Sequence, residues 1–201
     1  MNILDTSFYQ REDVVQIGRE LLGKYLFTQI NGERTGGMIV ETEVYCHEND
    51  WACHAHSQRR TKRTEIMYHA GGVAYVYLCY GIHHLFNIIT NVQDKADAVL
   101  IRAIEPLENL EIMQKRRGLN SMMPQLTAGP GAMSQALGIT QAHYGVSLTT
   151  GKLIWLEDRG MQVSSENIIA SPRVGIGYAG DDALLPWRFR IKNNRWTSKA
   201  K

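Results

Sequence analysis

The sequence has no apolar run approaching the ~20 residues of a membrane span. Its start, MNILDTSFYQREDV, also lacks the charged-then-apolar pattern of a secretion signal, so neither a membrane anchor nor export is expected. Cysteine is sparse. Cys46, Cys53 and Cys79 make an odd number, which leaves at least one unpaired and argues for a reducing, cytoplasmic setting over a disulfide framework. Metal-site spacings are missing too. Six of the seven histidines fall between His47 and His84, yet Cys46/Cys53, His54/His56 and His83-His84 match no CxxC or HExxH pattern, so no metal is expected. No repeat, low-complexity tract or Pro/Ser-rich linker interrupts residues 1–201, which reads as one domain.

What is present is ordinary in bulk and uneven in detail. A chain of 201 residues can bury roughly 70% of its unfolded surface, and 44% hydrophobic with 21% charged residues suits a globular protein. The net charge of +2 conceals clusters. Arg59, Arg60, Lys62 and Arg63 form one basic run, and Lys115, Arg116 and Arg117 another. After Asp182 come Arg188, Arg190, Lys192, Arg195, Lys199 and Lys201, with no acid. Such clusters can neutralise phosphates, although any one of them is equally well a solvated face.

Hydrophobic spacing predicts a helix over 12–22, with Val14, Ile17, Leu21 and Leu22 on its inner face and Gly23 as its stop. Alternation predicts strands at 37–45, 73–80, 98–104, 152–157 and 187–192. Glu105-Pro106 suits a helix start running to about Lys115, and Gly129-Pro130-Gly131 leads into a short helix stopped by Gly138. Strands outnumber helices without regular crossovers. The expected class is α+β, with a curved mixed or antiparallel sheet flanked by short helices.

Three segments could carry chemistry. In Met38–Tyr45, alternation puts Ile39, Glu41, Glu43 and Tyr45 on one face, with Met38, Val40, Thr42 and Val44 on the other. Two carboxylates about 6.5–7 Å apart along a strand should drive one pKa upward, unless this is simply a wet face. Tyr75, Tyr77 and Tyr80, the last beside Gly81, could stack on a nucleobase or wedge into a base step, or serve as ordinary core and edge residues. Arg102 sits in an apolar strand and needs an acceptor, for which Glu43 or Glu41 is the natural candidate in either a catalytic or a structural role. A literal GxGxxG at Gly175–Gly180 lacks the helix and βαβ unit of a dinucleotide fingerprint, because Asp181–Pro186 reads as no helix.

Together these segments resemble the alkyladenine (3-methyladenine, or methylpurine) DNA glycosylase family, the type without a helix-hairpin-helix motif. The likeness runs in order through MIVETEVY, HAHSQRRTKR, GGVAYVYLCYGIHHLFNI, VLIRAIEPLE, TAGPGAMSQALGI, SPRVGIGYAG and LPWRFRIKNNRW. It implies that Glu43 is the general base, with Arg102 helping to hold the nucleophilic water and the Val174 carbonyl contacting it. It also implies that Tyr45, His54, Tyr77 and Asn87 line the base pocket, with Asn87 facing the purine edge, and that Tyr80 fills the space left in the duplex. Departures cluster in CHENDWAC, which brings extra histidine and cysteine and Trp51, and at His83-His84; both bear on substrate range.

The implied activity is hydrolysis of the N-glycosidic bond of a damaged purine in double-stranded DNA, by a cytoplasmic (in a bacterium, nucleoid-associated) monomer using no cofactor. Arg59, Arg60, Lys62 and Arg63 would contact phosphates. Two other readings stand beside it. One is an O-glycoside hydrolase with Glu41 and Glu43 as its acid pair, which places two carboxylates awkwardly for bracketing a sugar. The other is a non-catalytic nucleic-acid-binding module, which leaves Glu43 and Arg102 without a role.

Overall fold

A 13-residue strand, β2 (Glu33–Tyr45), organises the molecule. Before it come α1 (Thr6–Tyr9), α2 (Val14–Glu20) and β1 (Tyr25–Ile30). After it come β3 (Ala74–Cys79), β4 (His83–Thr90), β5 (Asp97–Glu108), α3 (Leu110–Arg117) and α4 (Pro130–Leu137). Three short strands follow: β6 (Ile154–Glu157), β7 (Ile168–Ser171) and β8 (Arg188–Ile191). The computed structural model describes residues 2–199.

Among the described residues, eight strands form one sheet in the order β3-β4-β5-β2-β1-β6, with β8 beside the far half of β2 and β7 outside β8. Every pairing is antiparallel, which resolves the expectation of a mixed or antiparallel sheet within the α+β class. One edge of β2 is shared: β1 pairs residues 33–38 and β8 pairs residues 41–43. The other edge is taken by β5 along most of its length.

Local chemistry explains the elements. Asp13 caps α2 by accepting the Gln16 N–H at 2.9 Å, and Gly23, at φ +85°, ends the segment where expected. Gly18 lets α2 lie close on β2, since a Cβ there would stand 2.3 Å from Val44 Cγ2. Val14, Ile17, Leu21, Ile39, Val40, Val44, Phe86 and Phe189 share one buried cluster, in which each large side chain contributes ~1.5–3 kcal/mol. A second cluster around Tyr68, Tyr75, Ile89 and Ala98 supports the candidate site.

Several elements differ from the sequence reading. The strands β1, β4 and β7 were not anticipated, and β2 begins at Glu33. Asn31-Gly32, both at positive φ (55° and 79°), is a two-residue hairpin signal that could have revealed β1. The expected helix start at Glu105-Pro106 is instead the end of β5. Pro106 has no N–H to offer a ladder, and it lies opposite Gly37 at a register shift where none is needed. The helix starts one turn later, at Leu110, and stops at Gly118 as expected. Residues 177–184 are also not featureless: they wind into 3₁₀ turns kinked at Gly180, though not into a dinucleotide-binding helix.

The alternation of β2 is broken as well. Pairing slips between Ile39 and Glu41 and slips back between Glu41 and Thr42, so Val40 and Arg102 each lack a direct partner. Ile39 consequently joins Val40 and Val44 in the core rather than sharing a face with the acids.

Candidate active site

The far half of β2 and the middle of β5 form the floor of a cavity of about 640 Å³. Glu43 lies at this floor, fully buried. Two groups hydrogen-bond its carboxylate, the Val174 backbone N–H at 2.8 Å and the Tyr45 hydroxyl at 2.9 Å, and Arg102 Nη1 forms an ion pair with it at 3.2 Å. A carboxylate has about four acceptor positions, so room remains for a water or substrate atom. Burial, and then the charge of Glu43, push the Tyr45 pKa well above its ordinary value, which keeps its hydroxyl protonated as a donor.

Glu41 is also fully buried but belongs to a different network and does not line the cavity. Its Oε1 accepts Arg102 Nε at 2.8 Å, Arg188 Nε at 2.8 Å and Ser198 Oγ at 2.8 Å, and its Oε2 accepts the Ser198 N–H. The expected upward push on one acid fails at this residue. Burial does raise its pKa, but Arg102, the Ser198 N–H and Arg188 outweigh that and hold it below the usual range. Glu41 therefore anchors Arg102. It does not pair with Glu43 across a substrate, which removes the acid pair that an O-glycoside hydrolase would need.

Aromatic rings form the walls. Tyr75 and Tyr77 lie 5.3 Å apart, and His54 meets Tyr77 edge-on at 4.8 Å. His54 Nδ1 lies 2.9 Å from the Tyr75 hydroxyl. Burial, then Arg63 and Arg59, lower the His54 pKa to about 4, so the ring is neutral near pH 7. Asn87 donates its amide to the Tyr75 and Leu85 carbonyls at 3.2 and 3.4 Å, which leaves its Oδ1 as the group open to the cavity it lines. Tyr45, His54, Tyr77 and Asn87 are thus brought together, and Tyr75 joins them.

Tyr80 stands at the rim, on the turn between β3 and β4, 88% exposed and held at φ +51°. Gly81 follows at φ +73°, and the exposed Leu78 and Ile82 flank the pair. A tyrosine in left-handed backbone at a tip is costly to fold and open to contact.

The basic run divides. Arg63 is a wall residue: its guanidinium lies over Tyr77 at 4.6 Å and its Nε donates to the Tyr75 hydroxyl at 3.2 Å. Arg60 instead faces Asp94 at 3.0 Å and the Tyr68 ring at 4.2 Å, in a separate depression. Arg59 and Lys62 remain exposed, and Arg59 lines a hollow next to the cavity. Elsewhere, Arg116 pairs with Glu33 at 3.0 Å and Arg188 is buried on Glu41, so neither is a free surface cation. Lys201 lies outside the described residues.

Two further features escaped the sequence reading. Asp50 and Arg173 form a fully buried bidentate ion pair at 2.6 and 2.8 Å. Arg173 also donates to the Val44 and Asp182 carbonyls, at 2.8 and 3.1 Å, and its guanidinium lies over Tyr45 at 4.8 Å. This clamp holds the backbone directly before Val174, whose N–H donates to Glu43 at 2.8 Å. The second feature is Cys46, His47 and Asp97, whose potential ligand atoms lie within 4.8 Å of one another and could hold a metal ion. Spacing hid this group because Asp97 comes from β5; His47 and Asp97 already bond each other at 2.7 Å.

Comparison with known proteins agrees with this geometry. The sequence model of the methylpurine-DNA glycosylase family matches residues 7–195. A relative from Natranaerobius thermophilus, named provisionally as a 3-methyladenine DNA glycosylase, is 42% identical over 97% of this chain and 98% of its own. Relatives from Chlamydia felis (45% identical, over 94% of this chain and 96% of its own) and Methanocella arvoryzae (42%, over 99% and 97%) bear the same name.

Proposed function

The chain belongs to the methylpurine-DNA glycosylase family, and from that premise we propose that it flips alkylated or deaminated purines, such as 3-methyladenine, out of duplex DNA and hydrolyses their N-glycosidic bond. The observation that carries this reading is the buried Glu43 carboxylate, held by two hydrogen bonds and the Arg102 ion pair at the floor of an aromatic-walled cavity. A damaged base costs less to unstack than a sound one, which biases extrusion toward lesions. Tyr80 would enter the stack as the base leaves it. The base would then lie against Tyr77, His54 and Tyr45, with Asn87 Oδ1 at its edge. Neutral His54 can hydrogen-bond a purine without adding a charge that would oppose a cationic lesion.

Glu43 takes a proton from water as the water oxygen bonds to C1′ and the bond from C1′ to the base nitrogen breaks. Its negative charge also stabilises the oxocarbenium character that develops on the sugar. A cationic lesion such as 3-methyladenine leaves as a neutral base, whereas a neutral lesion such as hypoxanthine needs a proton. No lysine lines the cavity among the described residues, so we expect hydrolysis without a Schiff base.

The test is single-turnover base release from a duplex carrying one hypoxanthine or alkylated purine, with and without EDTA. We expect EDTA-insensitive release that leaves an intact abasic strand, with no adduct trapped by borohydride. Glu43→Gln should still bind the duplex and lose turnover by roughly 10²-fold or more, in line with removal of a general base. A variant with a near wild-type rate would remove Glu43 from this role. Tight binding without release by the native protein would favour a non-catalytic damage binder.

A further inference from the structure

Beside the main cavity lies a second hollow of about 230 Å³, lined in part by Trp51, His56, Arg59, Arg63 and Tyr178. Arg63 and Tyr178 line both spaces, so the two are continuous. Trp51 is 65% exposed and Tyr178 70% exposed, which is unusual for rings this large. Trp51 is nevertheless fixed. Its backbone N–H donates to Asp182 Oδ2 at 2.9 Å, and one ring face rests on His56 at 4.3 Å with 28° between the planes. It also follows Asp50, which is locked to Arg173. The other indole face is offered to solvent at little entropic cost for a ligand that stacks on it.

The chemistry of the hollow narrows what could sit there. Its lining contains no carboxylate, and Arg59 makes no ion pair among the described residues. A cation next to an open aromatic face suits a flat ring joined to an anion. The volume falls below the ~300–1,000 Å³ of a drug-sized ligand site, so a single ring system fits better than a larger molecule.

We propose that this hollow is a second nucleobase subsite, in which an unpaired base flanking the flipped nucleotide stacks on Trp51 while Arg59 holds its phosphate. The inference rests on the DNA-directed reading above and adds a substrate preference to it. In an intact duplex the flanking bases stay paired and stacked on their neighbours, so the subsite gains little. Single-stranded or bulged DNA can place a base there.

The experiment uses the full chain and an undamaged single-stranded oligonucleotide, followed by tryptophan emission. Trp155 and Trp196 are buried and Trp187 is half-buried, so Trp51 is the indole open to a stacking base. We expect saturable quenching in the native protein. Trp51→Ala should remove most of the quenching and weaken single-strand binding roughly tenfold, within the range of base–aromatic stacking. Trp51→Phe should recover part of that affinity. With a damaged duplex, Trp51→Ala should leave the single-turnover rate constant at saturating DNA unchanged. Full quenching in Trp51→Ala, or equal single-strand affinity in all three proteins, would overturn the subsite. An equal loss of affinity for intact duplex would also overturn it, by marking a general backbone contact. Failure of the native protein to release any damaged base would instead overturn the glycosylase reading, since the quenching assay contains no lesion.

Discussion

At the scale of single residues, burial and partners decide what each titratable group does. His54 and Glu41 are both perturbed, and in ways that act in different pH windows. The folded pKa of His54 is about 4 against an ordinary value of 6.5, because burial, Arg63 and Arg59 all oppose its charge. The unfolded chain therefore takes up a proton that the folded chain refuses, and this contribution to stability declines as pH falls from about 6.5 toward 4. We expect the His54 ring resonances to stay flat by NMR from pH 8 down to 5, and to move below that. A midpoint near 6.5 would show that the ring is not desolvated as described. The depressed pKa of Glu41 has its effect lower down: its contribution is complete above 4.5 and is lost on further acidification. Position along the chain announced neither behaviour. Glu41 and Glu43 looked like equivalent members of an acid pair, and only Arg188 and Ser198, about 150 residues away, separate an anchor from a candidate base.

At the scale of elements, two short segments carry opposite kinds of design. The β3–β4 turn holds Tyr80 at φ +51°, a conformation that costs a side-chain-bearing residue roughly 1–2 kcal/mol. Tyr80→Gly should therefore raise or hold stability in urea melts, by about 1 kcal/mol at most, while slowing base release from duplex DNA. A variant as active as the native protein would remove Tyr80 from the duplex. The loops at Asp50 and Arg173 do the reverse, tying chain down where the site needs it. Asn in place of Asp50 leaves the Arg173 charge buried without its partner, and should cost about 3–5 kcal/mol by denaturant titration. Because the clamp also places the Val174 N–H on Glu43, the folded fraction of Asp50→Asn should release base more slowly. An unchanged rate per folded molecule would confine the clamp to stability.

At the scale of the whole molecule, a net charge of +2 hides a local asymmetry: exposed Arg59 and Arg63 line the cavity and the hollow beside it, while Arg116 and Arg188 are consumed internally. Duplex affinity should fall linearly on a log–log plot against salt, and Arg59→Ala should reduce the slope by about 1. An unchanged slope would show that Arg59 meets no phosphate. No helix among the described residues is long and apolar enough to cross a membrane.

The α+β class, the strand carrying Glu43 and Tyr45, and the stops at Gly23, Gly118 and Gly138 were legible in the sequence, because strand alternation and glycine's access to positive φ are local properties. The sequence reading misplaced the helix after Pro106, because whether a proline opens a helix or sits at a bulge depends on the strand beside it. It took the folded arrangement to show that Arg102 faces both acids, that Arg63 is a wall residue, and that Asp50, Arg173 and Val174 support Glu43. Those relations join residues up to about 130 positions apart, and a pairing slip of one residue at Val40 and Arg102 changes which side chains meet. No local pattern records either.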